Sequence, residues 1–408
     1  MSNSIRTKLL QVDLVRKGWS WYRNRCVLAK YYEFVDKYGG WRIEDGSSAT
    51  FQTSIADEVR QKLGARGAPH PTREDCHTLI MTLTDSWGQG MVCELEAFGP
   101  VTVFDWWKAG FVGWGPAFQR KVPELNERFF EFVRNTHARR PIDWVLITCN
   151  GAIILRSTIR RIKEDLGVPI VNQWLDCVHT FELGQGPHGQ DLGQCDIAPD
   201  FDLVCTSSRT ACSWYRAVGA TPLFLPEGFS PTLTPRLERP KTADVAFVGA
   251  CYGQRPDYVA ALRKAGLRVV VAGSGWGRGS IVPRDDMGEF LASARMVLGI
   301  GGVGYSMQLT TLKGRDFEVP GAGCTYLTTF NGDLADLFHV GKEILCYQSI
   351  DEMVDISRRV VRYPEYREVI AACAYEKSMA SHRWRHRFEA IFKVLGWKPR
   401  TVPEIPAT

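Results

Sequence analysis

The chain has 408 residues, of which 45% are hydrophobic, 23% are charged and 11% are aromatic. This balance excludes a mainly disordered, collagen-like or coiled-coil protein, and the length fits two ordinary domains or one large one. The net charge of +5 is too small to indicate a nucleic-acid-binding protein.

Residues 1–38 form a basic, aromatic-rich arm with eight Lys or Arg and three Asp or Glu residues. Its apolar spacing predicts one or two helices with a basic face. It lacks the apolar stretch of a signal peptide, and no uncharged apolar run in the chain approaches a membrane span of ~18 residues. We therefore expect a cytoplasmic protein whose arm packs on the body or forms a homodimer contact. Docking of the arm on the inner face of a membrane is the alternative.

The 12 cysteines lie singly in apolar stretches and show no spacing typical of zinc ligands. This pattern indicates buried thiols in a reducing compartment and no metal site. His382 and His386 share one helix face, but arginines at 383, 385 and 387 surround them. We interpret this stretch as a basic helical surface.

From residue 76 onward, short apolar runs alternate with amphipathic stretches. The predicted strands are residues 79–83, 101–104, 144–147, 169–174, 203–206 and 221–226, followed by 244–248, 268–272, 296–300, 324–328 and 343–347. The predicted helices include residues 123–138, 157–166, 210–217, 258–265, 288–294, 334–338, 350–361 and 366–395. Strands that alternate with helices need right-handed crossovers, which build parallel sheets.

The predicted fold class is therefore α/β, with two doubly wound, Rossmann-like parallel-sheet domains that face a cleft and a helical N-terminal extension. The proline-rich segment 230–243 is the predicted linker. We predict a helical extension over 1–75 and a Rossmann-like acceptor domain over 76–235. A Rossmann-like nucleotide-binding domain over 236–365 and a helical segment with a tail over 366–408 complete the chain.

Ligands of open α/β sheets bind beyond the carboxyl ends of the strands, so we place candidate residues there. Gly249 and Arg255 follow strand 244–248, where glycine amides and a guanidinium suit a phosphate. A plain turn with a solvated arginine is the alternative. Gly275 and Trp276 follow the next strand and could supply backbone contacts and a stacking ring, or form a loop without a ligand.

Residues 299–304 fit the G-x-G-x-x-G pattern of dinucleotide-binding turns. They follow the third strand of their half, however, and no acidic residue ends a strand about twenty positions later, which disfavours NAD. A cradle of backbone amides for an anion, including Gly301 and Gly302, is the better interpretation.

Lys313, Arg315 and Glu318 form the densest group of charged candidates, followed by small residues and then by the buried strand 324–328. Two cations can neutralise a diphosphate, and a carboxylate can accept both hydroxyls of a ribose. A helix-terminal ion pair is the alternative.

In the first half, Asp176 and His179 follow strand 169–174 and could orient an acceptor hydroxyl or take its proton. A turn-capping aspartate and a surface histidine are the alternative. Gln89 and Gly90 follow the first strand and are candidates for an acceptor or phosphate loop.

The segment from Lys313 through Arg315 and Glu318 to Gly323 resembles the R-x-F-E…G segment of group 1 glycosyltransferases, in particular their spore-maturation, CgeB-like branch. Residues 247–249, Arg255 and residues 225–229 also fit, and the resemblance covers about 140–395. It implies a GT-B fold, a nucleotide-sugar donor held mainly by the C-terminal domain, and metal-independent transfer with no cofactor.

In that resemblance Glu318 binds the donor ribose, while Lys313 and Arg315 meet the diphosphate. Thr310 stands where the wider family has a second glutamate, so the contacts to the donor sugar and the retaining outcome are left open. The expected donor is a UDP-sugar. The expected acceptor group is a hydroxyl of a glycan, lipid-linked molecule, peptide or small molecule. The alternatives are a sugar-nucleotide epimerase or phosphorylase, an NAD-dependent oxidoreductase and a non-catalytic partner.

Overall fold

The computed structural model describes residues 13–39, 49–68 and 75–398. Their contacts divide the chain into two units. One unit consists of the described residues up to Glu33 together with Phe229–Arg383, and the other of Phe34–Gly228 together with the described residues from Trp384 onward. We call the first the C-terminal unit and the second the N-terminal unit.

The N-terminal unit contains a parallel sheet of six strands. They are β1 (Thr78–Met81), β2 (Val101–Phe104), β3 (Trp144–Ile147), β4 (Ile170–Trp174), β5 (Leu203–Thr206) and β6 (Pro222–Phe224), in the order β2-β1-β3-β4-β5-β6. Every residue of β1, β3 and β5 is buried, because helices cover both faces of a sheet of this kind. This burial explains why these strands appear in the sequence as continuous apolar runs.

Helices of the N-terminal unit pack around this sheet. After α1 (Asp13–Tyr38), which begins in the C-terminal unit, they are α2 (Ala49–Arg66), α3 (Gln89–Leu95), α4 (Pro116–Gln119), α5 (Val122–Arg139), α6 (Arg156–Leu166), α7 (Cys177–Thr180) and α8 (Arg209–Ala217). The Ser208 hydroxyl accepts a hydrogen bond from the amide of Ala211 and so caps the start of α8.

The C-terminal unit contains a parallel sheet of five strands. Its strands are β7 (Ala243–Val248), β8 (Val269–Ala272), β9 (Ala294–Leu298), β12 (Tyr326–Thr329) and β13 (Leu345–Tyr347), in the order β13-β12-β9-β7-β8. Two further strands, β10 (Gly302–Val303) and β11 (Ser306–Thr310), form an antiparallel hairpin. The helices of this unit are α9 (Arg255–Lys264), α10 (Met287–Ala292), α11 (Arg315–Gly321), α12 (Gly332–Ala335), α13 (Ile350–Arg362) and α14 (Pro364–Ser381).

Two separate parallel sheets with flanking helices and a helical N-terminal segment confirm the predicted fold class. All eleven predicted strands are present, with ends shifted by a few residues. The sequence did not predict the β10–β11 hairpin. Glycines at 299, 301, 302 and 304 resemble a turn that leads into a helix, whereas here they lead into a hairpin.

The helical segment at the C-terminus is shared between the units. Helix α14 packs on α11 and α13, whereas α15 (Trp384–Leu395) packs on α2 and α3. Apolar residues of α15 cause this separation, since Phe388, Ile391, Phe392 and Leu395 are fully buried in the core of the N-terminal unit.

The predicted basic surface around residues 382–387 is wrong. His382, Arg383, Arg385 and Arg387 are all buried, with between 3% and 7% of their surface exposed. Arg387 donates from Nε to the carbonyl oxygens of Pro226 and Glu227, and burial lowers its pKa to about 10. A sequence rich in arginine suggests solvent, but these side chains bind the backbone inside the protein.

The described part of the basic arm is helix α1, and it packs on the body of the protein. Phe34 is buried among the rings of Phe181 and Trp214 in the N-terminal unit, while Arg16 binds Asp257 in the C-terminal unit. Residues 1–12 of the arm lie outside the described residues. Among the described helices, none has the length and apolar character needed to cross a membrane.

The packing of α15 predicts a large loss of stability in Phe392→Ala. The Phe392 ring lies 5.2 Å from the ring of Phe98 and 5.3 Å from that of Trp144, so truncation leaves a cavity among buried aromatics. We expect the free energy of unfolding, measured by urea denaturation of the full chain, to fall by about 3–5 kcal/mol. Val369→Ala is the control because Val369 is 62% exposed. A loss of less than about 1 kcal/mol in Phe392→Ala would contradict this packing.

Candidate functional site

Two arginines meet beside Gly249, the residue that follows β7. A Cβ atom built on Gly249 would lie 3.2 Å from Nη1 of Arg255 and 3.5 Å from Nη1 of Arg315. Arg255 is the first residue of α9, and Arg315 is the first residue of α11. The carboxyl end of β7 therefore brings together two positive charges that are 60 positions apart in the sequence.

The hydrogen bonds of these two guanidinium groups go to backbone carbonyls. Arg255 Nη1 donates to Ala250 at 3.0 Å, and Arg315 Nη1 donates to Val248 at 3.2 Å. Arg315 Nη2 also donates to the carbonyl of Ile300. Among the described residues, neither guanidinium forms an ion pair with a carboxylate, so the hydrogen bonds that hold them do not cancel their charge.

The electrostatics at this point favour an anion. Burial and the adjacent charge of Arg315 lower the pKa of Arg255 to about 10. Only 9% of the surface of Arg255 is exposed. Keeping two like charges close together in a poorly hydrated place is unfavourable, and a bound anion would relieve that cost through charge-assisted hydrogen bonds.

Glycines allow two loops to interlock at the same point. Gly249 has a φ of +151°, and a Cβ atom there would lie 3.1 Å from the Phe247 ring. The loop after β8 folds back on it, since Trp276 donates from Nε1 to the carbonyl of Gly249 at 2.7 Å and its ring packs edge-on against Phe247. Gly275, with a φ of +85°, lies against Cys251. The structure thus brings Gly249, Gly275 and Trp276 together.

The start of α11 is fixed by a buried carboxylate. Asp316 accepts hydrogen bonds from the amide of Lys313 at 2.7 Å and from the hydroxyl of Tyr326 at 2.6 Å, and burial raises its pKa. Glu318 lies two residues further along the chain and is half-buried. Its carboxylate pairs with Arg284 at 2.5 Å. The predicted group of Lys313, Arg315 and Glu318 therefore occupies one short stretch, with Arg315 directed towards Gly249.

Gly301 and Gly302 lie in the hairpin rather than in a turn that leads into a helix. The amide of Gly301 donates to Oγ1 of Thr329, and Gly302 pairs with Thr310 across the hairpin. Gly299 is needed for packing, because a Cβ atom there would overlap with the Tyr326 hydroxyl. The geometry of a dinucleotide-binding turn is not formed by this segment.

The remaining candidates belong to the N-terminal unit and follow two strands of one sheet. Asp176 is exposed and directly precedes α7, on which His179 is half-buried. Gln89 and Gly90 begin α3, where the Gln89 amide donates to Sγ of Cys93 at 3.7 Å. Both groups follow parallel strands, β4 and β1, so they lie at the same edge of the sheet.

Two residues that support this site were missed in the sequence. Arg284 pairs with Glu318, and Arg16 of α1 holds the loop that carries Arg255. Arg16 donates to the Gly253 carbonyl at 3.0 Å and to both carboxylate oxygens of Asp257 at 3.1 and 2.5 Å. No local signal pairs Arg16 with Asp257, which lies 241 residues later.

No group of three or more His, Cys, Asp or Glu residues within the described ranges is arranged to hold a metal ion.

Comparison with known proteins supports a relationship in the C-terminal half. Residues 255–393 match the model of a protein family described as Glycosyl transferase-like, and this range includes Arg255, Arg315 and Glu318. No curated protein sequence matches the chain.

The fold is similar to those of several solved structures. Sucrose-phosphate synthase from Thermosynechococcus elongatus has a TM-score of 0.51 at 11% identity, covering 78% of this chain and 98% of that one. A glycosyltransferase from Rickettsia africae ESF-5 has a TM-score of 0.52 at 9% identity, covering 79% and 99%. HepE from Anabaena in complex with UDP and glucose has a TM-score of 0.50 at 11% identity, covering 79% and 99%. At these identities the likeness shows the GT-B type of fold alone.

The contacts of Arg16 predict that α1 orders the loop of the candidate site. In Arg16→Ala we expect amide hydrogen exchange over residues 249–257 to become about fivefold faster, because removing a half-buried bidentate ion pair costs about 1 kcal/mol. Arg25→Ala is the matched control, since Arg25 lies on the same helix with its side chain exposed. Equal exchange in both variants would contradict the assigned role of Arg16.

Proposed function

We propose that this protein is a glycosyltransferase that moves a sugar from a nucleotide-sugar donor to a hydroxyl group of an acceptor. The observation that carries the proposal is the pair of guanidinium groups of Arg255 and Arg315 beside Gly249, with no carboxylate bound to either among the described residues. The match of residues 255–393 to a Glycosyl transferase-like family supports the same activity.

The arginine pair suits the chemistry of the leaving group. When the bond between the sugar C1 and the phosphate oxygen breaks, negative charge develops on the nucleoside diphosphate. Fixed cations stabilise this charge without reorganising, and they contribute most where water is scarce. Arg255 is buried and Arg315 is held by two carbonyls, so both groups are in place before the donor binds.

Glu318 is the proposed partner of the donor ribose. Its carboxylate already pairs with Arg284, which fixes its direction. An ionised carboxylate has enough acceptor sites to take two ribose hydroxyls as well as the guanidinium. Trp276, held between Phe247 and the Gly249 carbonyl, offers its indole face as a further surface for the donor.

We further propose that transfer proceeds with retention of configuration at the sugar C1. In that sequence the acceptor oxygen bonds to C1 on the face that the diphosphate leaves, and the acceptor proton passes to the departing phosphate oxygen. Asp176 and His179 then orient the acceptor hydroxyl instead of removing its proton. UDP is the first nucleotide to test, because HepE, which has a similar fold, is described in complex with UDP and glucose.

UDP is expected to stabilise the protein against heat. A ligand at about one hundred times its Kd adds about 2.7 kcal/mol to the free energy of unfolding. In Arg255→Gln we expect UDP to bind at least about tenfold more weakly, since a hydrogen bond to a charged group contributes about 1.5–3 kcal/mol. Lys342→Ala, which removes an exposed cation of the same unit, should bind UDP like the wild type. Equal affinity in Arg255→Gln would refute the role of the arginine pair.

Glu318→Gln tests the catalytic part of the proposal. With folding verified by circular dichroism, we expect kcat/KM for the donor to fall by about 10²-fold or more, because losing a ribose contact that persists in the transition state costs about 3 kcal/mol. Mass spectrometry of the products with donor alone and with candidate acceptors separates transfer from epimerisation. An epimerised donor sugar, or full turnover in Glu318→Gln, would contradict the proposal.

A further inference from the structure

A second surface with the character of a binding site lies in the N-terminal unit, on the loop that follows β2. Residues 105–115, which we call the tryptophan loop, have the sequence DWWKAGFVGWG. Trp107 is 37% exposed and Trp114 is 60% exposed. Their ring centroids lie 6.4 Å apart with an interplanar angle of 64°. Two large apolar rings in edge-to-face contact are thus partly exposed to solvent.

The start of this loop is held by one buried carboxylate. Asp105 accepts hydrogen bonds from the amide and the hydroxyl of Thr84 at 2.8 and 2.7 Å. It also accepts from the amides of Trp107 at 3.0 Å and Lys108 at 3.2 Å. Asp105 therefore fixes the backbone on which the first exposed indole stands.

Buried aromatics hold the rest of the loop. Trp106, Phe111 and Phe118 are between 1% and 3% exposed, and the amide of Phe111 donates to the carbonyl of Trp106 at 2.8 Å. Arg128 donates to the carbonyl of Ala109 at 3.1 Å and lies over the Phe111 ring. These contacts order the loop while Trp107 and Trp114 stay outside the core, so burial does not account for the two indoles.

Hydrogen-bonding groups of both signs accompany the indoles. The ammonium group of Lys108 pairs with the carboxylate of Asp85 at 3.1 Å, and their side chains are 59% and 74% exposed. A cavity of about 370 Å³, lined in part by Phe104, Lys108 and Ala109, shares the backbone of the loop. The surface therefore combines apolar rings, a cation and an anion.

We propose that Trp107 and Trp114 bind the sugar rings of a carbohydrate acceptor. A sugar ring has a C–H face that packs on an indole and an edge of hydroxyls that needs hydrogen-bond partners, here Lys108 and Asp85. This inference rests on the proposed transferase function and names the class of its acceptor.

The charges of the tryptophan loop favour a carbohydrate over an anionic lipid surface or a nucleic acid. Binding to an anionic lipid surface or to a nucleic acid depends on an excess of basic residues. At this surface the positive charge of Lys108 is paired with Asp85, and the guanidinium of Arg128 is bound to the carbonyl of Ala109. Ordered aromatic rings with one such arginine beside them, rather than a cluster of basic residues, fit a neutral, hydroxyl-rich ligand better than an anionic one.

The test is a glycan array probed with the full-length protein, followed by titration calorimetry with the glycans bound. We expect at least one oligosaccharide to bind, and Trp107→Ala/Trp114→Ala to weaken it at least about tenfold, as for truncated aromatic hot spots. Trp114→Phe should restore part of the affinity. The matched control is Trp21→Ala/Tyr22→Ala, which removes two exposed rings of α1 and should leave glycan binding unchanged.

The same variants distinguish this inference from the proposed function. UDP should stabilise wild type and Trp107→Ala/Trp114→Ala equally, because the loop belongs to the other unit. If the protein binds UDP but no glycan, the inference about the tryptophan loop is overturned while the proposed function stands. The same holds if it binds UDP and a glycan but the double substitution leaves glycan binding unchanged. Loss of binding to phosphatidylglycerol vesicles in the double variant, with no glycan bound by the wild type, would also overturn it. Glycan binding through the loop without UDP binding would overturn the proposed function alone.

Discussion

The candidate site of the C-terminal unit depends on two guanidinium groups that lie close together at the end of β7. Arg255 and Arg315 begin different helices, and both lie against Gly249 because a glycine there leaves room for them. Backbone carbonyls hold the two side chains in place without neutralising them. A protein that buries uncompensated positive charge loses stability at that point, which is typical of a site built for an anionic ligand.

Three contacts of the surrounding structure hold the backbone around the two arginines. Asp316 fixes the start of α11, Trp276 ties the loop after β8 to Gly249, and Arg16 ties the loop before α9 to helix α1. The arm at the N-terminus is thus part of the structural support of the site. Its basic residues are explained in part by contacts with the protein's own carboxylates, as in the pair of Arg16 with Asp257.

The sequence was sufficient for the sheets and for the stretches that carry the charged candidates. Strands buried on both faces must be continuous apolar runs, so β3 and β5 could be recognised directly. Gly249 could be recognised as a candidate because a glycine directly after a strand lets a ligand or a side chain approach the backbone closely. Long-range pairings could not be found in this way, since nothing near Arg16 or Arg284 indicates Asp257 or Glu318 as the partner.

Two features were missed in the sequence for physical reasons. The glycines at 299–304 gave no sign of the hairpin that they enter or of the close packing of Gly299 on Tyr326, and the anion-binding role of Gly301 and Gly302 stays a prediction. The arginines at 383–387 suggested a solvated helix face, but the structure buries them, with Arg387 donating to main-chain carbonyls. Residue type alone does not distinguish an arginine that binds solvent from one that satisfies buried backbone.

The most direct measurement of the central claim is a crystal structure of the protein with UDP. We expect diphosphate oxygens about 2.7–2.9 Å from guanidinium nitrogens of both Arg255 and Arg315. Density for UDP at another place, with neither arginine in contact, would contradict it.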